Sequence, residues 1–149
     1  MRQRRKAREI ALQVLYQLDV LQIDVEEAIE LFWENFDAPG EVRNFSHQLI
    51  AGTWSNVDEI DRHISSCSEN WSIARMSKVD KNILRMAVYE LLYCPDIPPK
   101  VTLNEAIDLG KVYGSENSGS FINGILDALY ARLRKRDVVV QSKTDEPAA

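Results

Sequence analysis

VTLNEAIDLGKVYGSENSGSFINGILDAL, residues 101–129, is the stretch whose reading decides the fold. Thr102 followed three residues later by Glu105 is the pattern of a capping box, in which each side chain closes the other's unpaired backbone N–H, and it predicts a helix start. Gly114 predicts the end of that helix. The run GSENSGS is too polar and too rich in Gly and Ser for anything but a loop. Ser118 or Ser120 can cap a second helix carrying Ile122, Ile125, Leu126, Leu129 and Leu133 on one face. The unit is a helix hairpin with a polar turn, within which Asn123 and Gly124 interrupt an apolar helix start without any local need.

Upstream, Ser77 and Asp80 predict a second capping box, opening a helix that runs to about Cys94. Val79, Ile83, Leu84, Met86, Ala87, Val88, Leu91 and Leu92 cover most of its circumference, which marks a central helix. Pro95, Pro98 and Pro99 forbid its continuation, and residues 71–76 before it read as a short turn. At the start of the chain, Ala7, Ile10, Ala11, Val14, Leu15 and Leu18 keep the three-and-four spacing of an amphipathic helix over residues 5–18. Asp24 and Glu27 form a capping box ahead of Ala28, Ile29, Leu31, Phe32, Trp33 and Phe36, and DAPG stops that helix. A third begins near Glu41 and keeps Val42, Phe45, Leu49 and Gly52 in register to about Trp54. Asn56 then caps a fourth with Val57, Ile60 and Ile64, unless the third and fourth are one bent helix. No stretch alternates long enough for a strand, so the expectation is all-α, with seven helices and short loops. Residues 1–136 read as a single domain with a basic N-terminal arm, and residues 137–149 as a mobile tail without helical periodicity.

A chain of 149 residues suits one domain that buries roughly two thirds of its unfolded surface. Cys67 and Cys94 stand alone, without a CxxC or a ligand-spaced His, and read as reduced thiols of a cytoplasmic protein. His47 and His63 likewise lack a second ligand at i+4, so no metal is expected. The basic start leads into a helix containing Gln13, Gln17 and Asp19, which is no signal peptide, and nothing approaches a membrane span.

The net charge of −5 conceals a segregation. Arg2, Arg4, Arg5, Lys6 and Arg8 crowd the first eight residues without an acid, and Arg132, Arg134, Lys135 and Arg136 form a second cluster. Residues 9–131 hold eight Lys or Arg against twenty Asp or Glu, a balance of −12. A positive cluster on an acidic body suits one small region that meets a polyanion while the remainder repels nonspecific contact. Tyr16 falls opposite the apolar stripe of the first helix, on the side of Arg5 and Leu12. There it is either a platform for base stacking or an ordinary tyrosine covered by a further layer of helices.

The chain has no P-loop, GxGxxG, HExxH or GxSxG and no clustered Cys/His set, so the usual parts for phosphate, dinucleotide, metal or acyl chemistry are missing and no cofactor is expected. GSENSGS before a helix could receive an anion, but Glu116 opposes one.

RRKAREIALQVLYQLD, then F...L..G and ID..I, then W...R...VDKNILRMAVYELLY, then IP.KV..NEAI.L.K.YG and S..FINGILD together resemble, in order and spacing, the NusB family of bacterial transcription antitermination factors. The resemblance covers about residues 4–133. It implies two small helical bundles side by side and a non-enzymatic role. That role is binding boxA RNA of ribosomal leader transcripts jointly with NusE, a small-subunit ribosomal protein, within a complex of other Nus factors and RNA polymerase. Some members of the family are dimeric and others monomeric, so a homodimer stays open.

Carried over residue by residue, the resemblance implies RNA contacts from Arg2, Arg4, Arg5, Arg8, Tyr16, Arg85, Lys111 of the K.YG run, Asn117, Ser118 and Phe121. It implies partner-protein contacts from Tyr16, Asp80 and Arg85. Asp80 is equally a capping acid and Phe121 equally a flank of the core, whereas Arg85 on a mostly apolar helix needs a carboxylate, a phosphate or a solvent window. Two departures stand out. Gly110 occupies a usual alanine and should cost roughly 1 kcal/mol of helix propensity unless another backbone packs there. Asn117 is neutral where some relatives carry an acid. The alternatives are the RNA-guiding domain of a ribosomal RNA methyltransferase, for which the chain ends before a cofactor-binding βαβ unit, and a helical homodimeric adaptor without RNA.

Overall fold

The computed structural model describes residues 2–68 and 72–144, with side chains over residues 3–68 and 72–135. Among them are seven α-helices and no strand: α1 (Arg2–Leu21), α2 (Val25–Asn35), α3 (Gly40–Ser55), α4 (Val57–Cys67), α5 (Lys78–Tyr93), α6 (Pro99–Tyr113) and α7 (Ser118–Thr144). A single 3₁₀ turn over Ile73–Arg75 leads into α5, within the segment read as a turn; Trp71 lies outside the described residues. No described helix is long and apolar enough to cross a membrane.

The amphipathic stripe of α1 is core as its spacing predicts, with Ala7, Ala11, Val14, Leu15 and Leu18 at 0% exposure. It packs chiefly on α3 and also on α2 and α5, making one small bundle of α1, α2 and α3. The other contains α4, α6 and α7, with α5 packed against both groups. Residues Asp80 to Glu90 of α5 are buried without interruption, which a helix between two bundles requires. Where α3 crosses α5, a Cβ on Gly52 would lie 2.2 Å from a ring carbon of Tyr89, so the side chain that is absent sets the approach of the two helices.

Several local expectations need correction. Thr102 and Glu105 form no capping box: α6 begins three residues earlier, with Pro99 in its first turn, where a missing N–H costs nothing. Thr102 is buried and donates its hydroxyl to Glu90 Oε1 at 2.9 Å, and Glu105 turns to Arg5. Asn56 separates α3 from α4 but does not cap α4; its Nδ2 donates to the Gly52 carbonyl at 2.7 Å, closing the end of α3. Asp24 and Ser77 do cap, accepting backbone N–H groups of Glu26 and Glu27 and of Asp80 respectively. The α7 backbone continues to Thr144, past the Asp137 boundary from which composition predicts a tail; residues 145–149 lie outside the described residues. Gly110 is buried at the α6–α7 crossing, where a Cβ would meet Ile122 Cδ1 at 2.6 Å and the Ser118 backbone at 3.4 Å. The close packing that would justify that glycine is therefore present.

Candidate nucleic-acid and partner interface

The outward face of α1 is not roofed by other helices. Tyr16 is 41% exposed and lines an open groove of about 620 Å³, together with Lys6 and Gln13 of α1, Phe36 just beyond α2, Val79 of α5 and Tyr113 of α6. Leu12, expected on the same side, is 5% exposed and belongs to the core. Phe36 and Tyr113 are 54% and 47% exposed, so three exposed aromatic rings and the buried Phe32 border one depression, with Lys6, Glu9 and Asp37 as its charged lining. The Tyr113 hydroxyl donates to Glu9 Oε2, which fastens the end of α6 to α1 and raises the phenol above its ordinary value.

The cations of the leader fall into different environments. Arg4 is half exposed, 3.4 Å from Asp96, with its guanidinium 4.8 Å from the centre of the Phe45 ring. Arg5 is more than half exposed and meets both Glu105 and Asp108 of α6; the hydrogen bond to Glu105 is the main cause that raises its affinity for its proton. Arg8 is 2% exposed and gives both prongs of its fork to Glu90 at 2.8 Å each. Burial alone would favour neutral Arg8, but the paired carboxylate outweighs it and holds the charge. Arg8 therefore joins α1 to α5 and presents no guanidinium edge to a phosphate. The Arg2 side chain lies outside the described residues.

At the α6–α7 turn, Lys111 and Asn117 are exposed. Ser118 is 1% exposed, its Oγ accepting the Ser115 N–H at 2.8 Å; it is a structural pin of the turn and not a surface contact. Phe121 is half buried and packs on the core, as its position beside the Ile122 and Ile125 stripe allows. Because Arg5 reaches α6 and Tyr113 reaches α1, Arg5, Lys6, the outward phenol and the end of α6 share one side of the molecule, whereas Arg4 turns to Asp96 and Phe45.

Near the start of α5 lies a network that sequence reasoning found only from its cation. Arg85 forks onto Asp61 at 2.8 Å and 2.8 Å, lies 3.7 Å from Asp19, and sits over Trp54 at 5.8 Å. Lys81 bonds the same Asp19 at 2.8 Å. Of the three environments open to Arg85, the structure selects the carboxylate, which makes Arg85 a positioning residue in this conformation. Burial pushes the Asp19 carboxyl up, but hydrogen bonds from Lys81 and Asn82 and the nearby charges prevail and hold it below the usual range. Asp80 is 9% exposed, and its Oδ1 has no hydrogen-bond partner among the described residues. Tyr113 and Phe36 carried no signal in the sequence as groove walls, nor did Glu90, Glu105 and Asp108 as arginine partners, since each pairing joins distant segments. No group of His, Cys, Asp or Glu suited to a metal occurs among the described residues.

Comparison with known proteins gives a consistent picture. The model of the NusB family matches residues 5–131. The transcription antitermination protein NusB of Syntrophus aciditrophicus (strain SB) is 69% identical over 137 residues, covering 92% of this chain and 85% of that protein. Its counterpart from Geotalea daltonii is 46% identical over 145 residues, covering 92% of this chain and 100% of the relative. Among solved structures, T. maritima NusB superposes with a TM-score of 0.77 at 40% identity, over 85% of this chain and 89% of that one. A chain from the crystal structure of the antitermination factors NusB and NusE in complex with dsRNA gives 0.79 at 31% identity, over 89% and 98%.

Proposed function

This chain belongs to the NusB family, and we propose that it acts as a transcription antitermination factor by binding boxA RNA of ribosomal leader transcripts together with NusE. The complex then joins other Nus factors on RNA polymerase in the cytoplasm, and the protein's part is recognition without catalysis. One observation carries the reading: the uncovered face of α1, where Arg5 and Lys6 precede Tyr16 and its groove. Cations attract the phosphate chain and release its counterions, and an exposed ring offers a sequence-tolerant surface for a base. Lys111 and Asn117, both exposed near the α6–α7 turn, are the further RNA contacts of this reading.

NusE fits the other end of the groove. Val79 connects Tyr16 to the start of α5, where Asp80 lies with its Oδ1 buried and without a hydrogen-bond partner among the described residues. Arg85 contributes by fixing Asp61 and Asp19 behind that end. The solved complex of NusB, NusE and dsRNA supports both partners for a chain of this fold.

The test is a titration of labelled boxA RNA with and without NusE across a salt series. Binding should strengthen with NusE and weaken as salt rises. The salt slope should shrink by about one for each phosphate-contacting cation lost in a triple Arg4→Ala, Arg5→Ala, Lys6→Ala variant. An unchanged slope in that variant removes the α1 arm from the mechanism.

A further inference from the structure

We propose that Asp108 is an internal competitor for the RNA backbone, occupying the Arg5 guanidinium until a phosphate displaces it. The inference rests on the RNA-binding reading above. Arg5 is held unequally by two acids of α6. Glu105 accepts from Nε at 3.1 Å and from Nη2 at 3.2 Å, and its side chain is 17% exposed. Asp108 accepts only from Nη2, at 3.2 Å, a donor it shares with Glu105, and its side chain is 51% exposed. Nη1 has no hydrogen-bond partner among the described residues.

A carboxylate and a phosphate both offer paired oxygens to the guanidinium fork, so they compete for the same edge. Glu105 grips the inner edge and is largely covered, which fixes the arginine with its outer edge facing water. Asp108 has a single shared contact and returns to solvent when displaced, so its release costs little. Glu105 and Asp108 stand one turn apart on α6, where like charges repel unless a cation lies between them. A phosphate arriving at Arg5 thus meets a site that is aimed but partly neutralised. Asp108 lowers attraction for any polyanion, and a ligand that engages Tyr16 and the groove as well retains enough interaction to displace it. The acid is in this sense a specificity residue for the arm.

Wild type, Asp108→Asn, Arg5→Ala and the double variant are titrated with one labelled single-stranded RNA at low salt, with Glu30→Gln on α2 as a control of equal charge change. Asp108→Asn should tighten binding about two- to fivefold, the range expected when one exposed ion pair no longer competes. That gain should vanish in the Arg5→Ala background, and Glu30→Gln should give less. A gain equal to that of Glu30→Gln, or one that persists without Arg5, overturns the role of Asp108 while leaving RNA binding intact. If wild type shows no salt-dependent RNA binding at all, the functional reading fails, and this inference with it.

Discussion

Arg5 and Arg8 stand about one turn apart on α1, yet they belong to different regions of the molecule. The inward side of α1 holds Arg8 in a buried triangle with Glu90 and Thr102, whereas the outward side leaves Arg5 more than half in water against two acids of α6. Identical side chains three residues apart thus do different work. The inner one is inseparable from the fold, because an unpaired buried charge is expensive; the outer one is exchangeable, because water takes over whatever its partners release.

The largest effect that would test this contrast comes from the inner side. Glu90→Gln leaves the Arg8 charge buried without its carboxylate and should cost about 3–5 kcal/mol of stability, read from urea or thermal unfolding. A loss below about 1 kcal/mol would mean that α1 is not anchored by this pair.

Next come two glycines with opposite surroundings. Gly52→Ala drives a methyl into the Tyr89 ring and should destabilise by about 1–3 kcal/mol. Gly124→Ala, on the open face of α7 with nothing within 4 Å of the added carbon, should stabilise by up to about 1 kcal/mol through helix propensity. Equal effects at the two sites would erase the distinction between inner and outer faces.

A smaller effect follows from Asp19, whose carboxyl is held below its ordinary value by Lys81, Asn82 and Arg85 against the cost of burial. A depressed carboxylate contributes stability that is present above its unfolded value, about 4, and is lost as pH falls through the lower folded value. Asp19→Asn should therefore lower stability at neutral pH and flatten the acid limb of a melting-temperature profile below about pH 4. An unaltered profile would detach Asp19 from the α5 network.

The smallest change in stability belongs to the outer side. Arg5→Ala should shift unfolding by no more than about 0.5 kcal/mol while weakening RNA binding. A variant that loses stability and keeps its affinity would reverse the assignment of the two arginines.

Much of this molecule was legible in the order of its residues. The i, i+3, i+4 stripe of α1, the nearly all-apolar circumference of α5 and the Ser-rich turn between α6 and α7 are local patterns, and local patterns fix helices because the backbone bonds its own near neighbours. Ser77 and Asp24 behave as the caps they resemble. Thr102 and Asn56 do not, because a cap is only one use for a short polar side chain. A proline opening the helix earlier and a buried carboxylate across the interface took Thr102 elsewhere.

The sequence by itself determined the helices, their apolar faces and the concentration of cations at the start of the chain. Tertiary structure alone decided which of those cations remain for a ligand, since Arg8 meets Glu90 across 82 positions and Arg5 meets Glu105 across 100. A charge is spent or available according to how far its surroundings exclude water, and that depends on segments brought together only when the chain is packed.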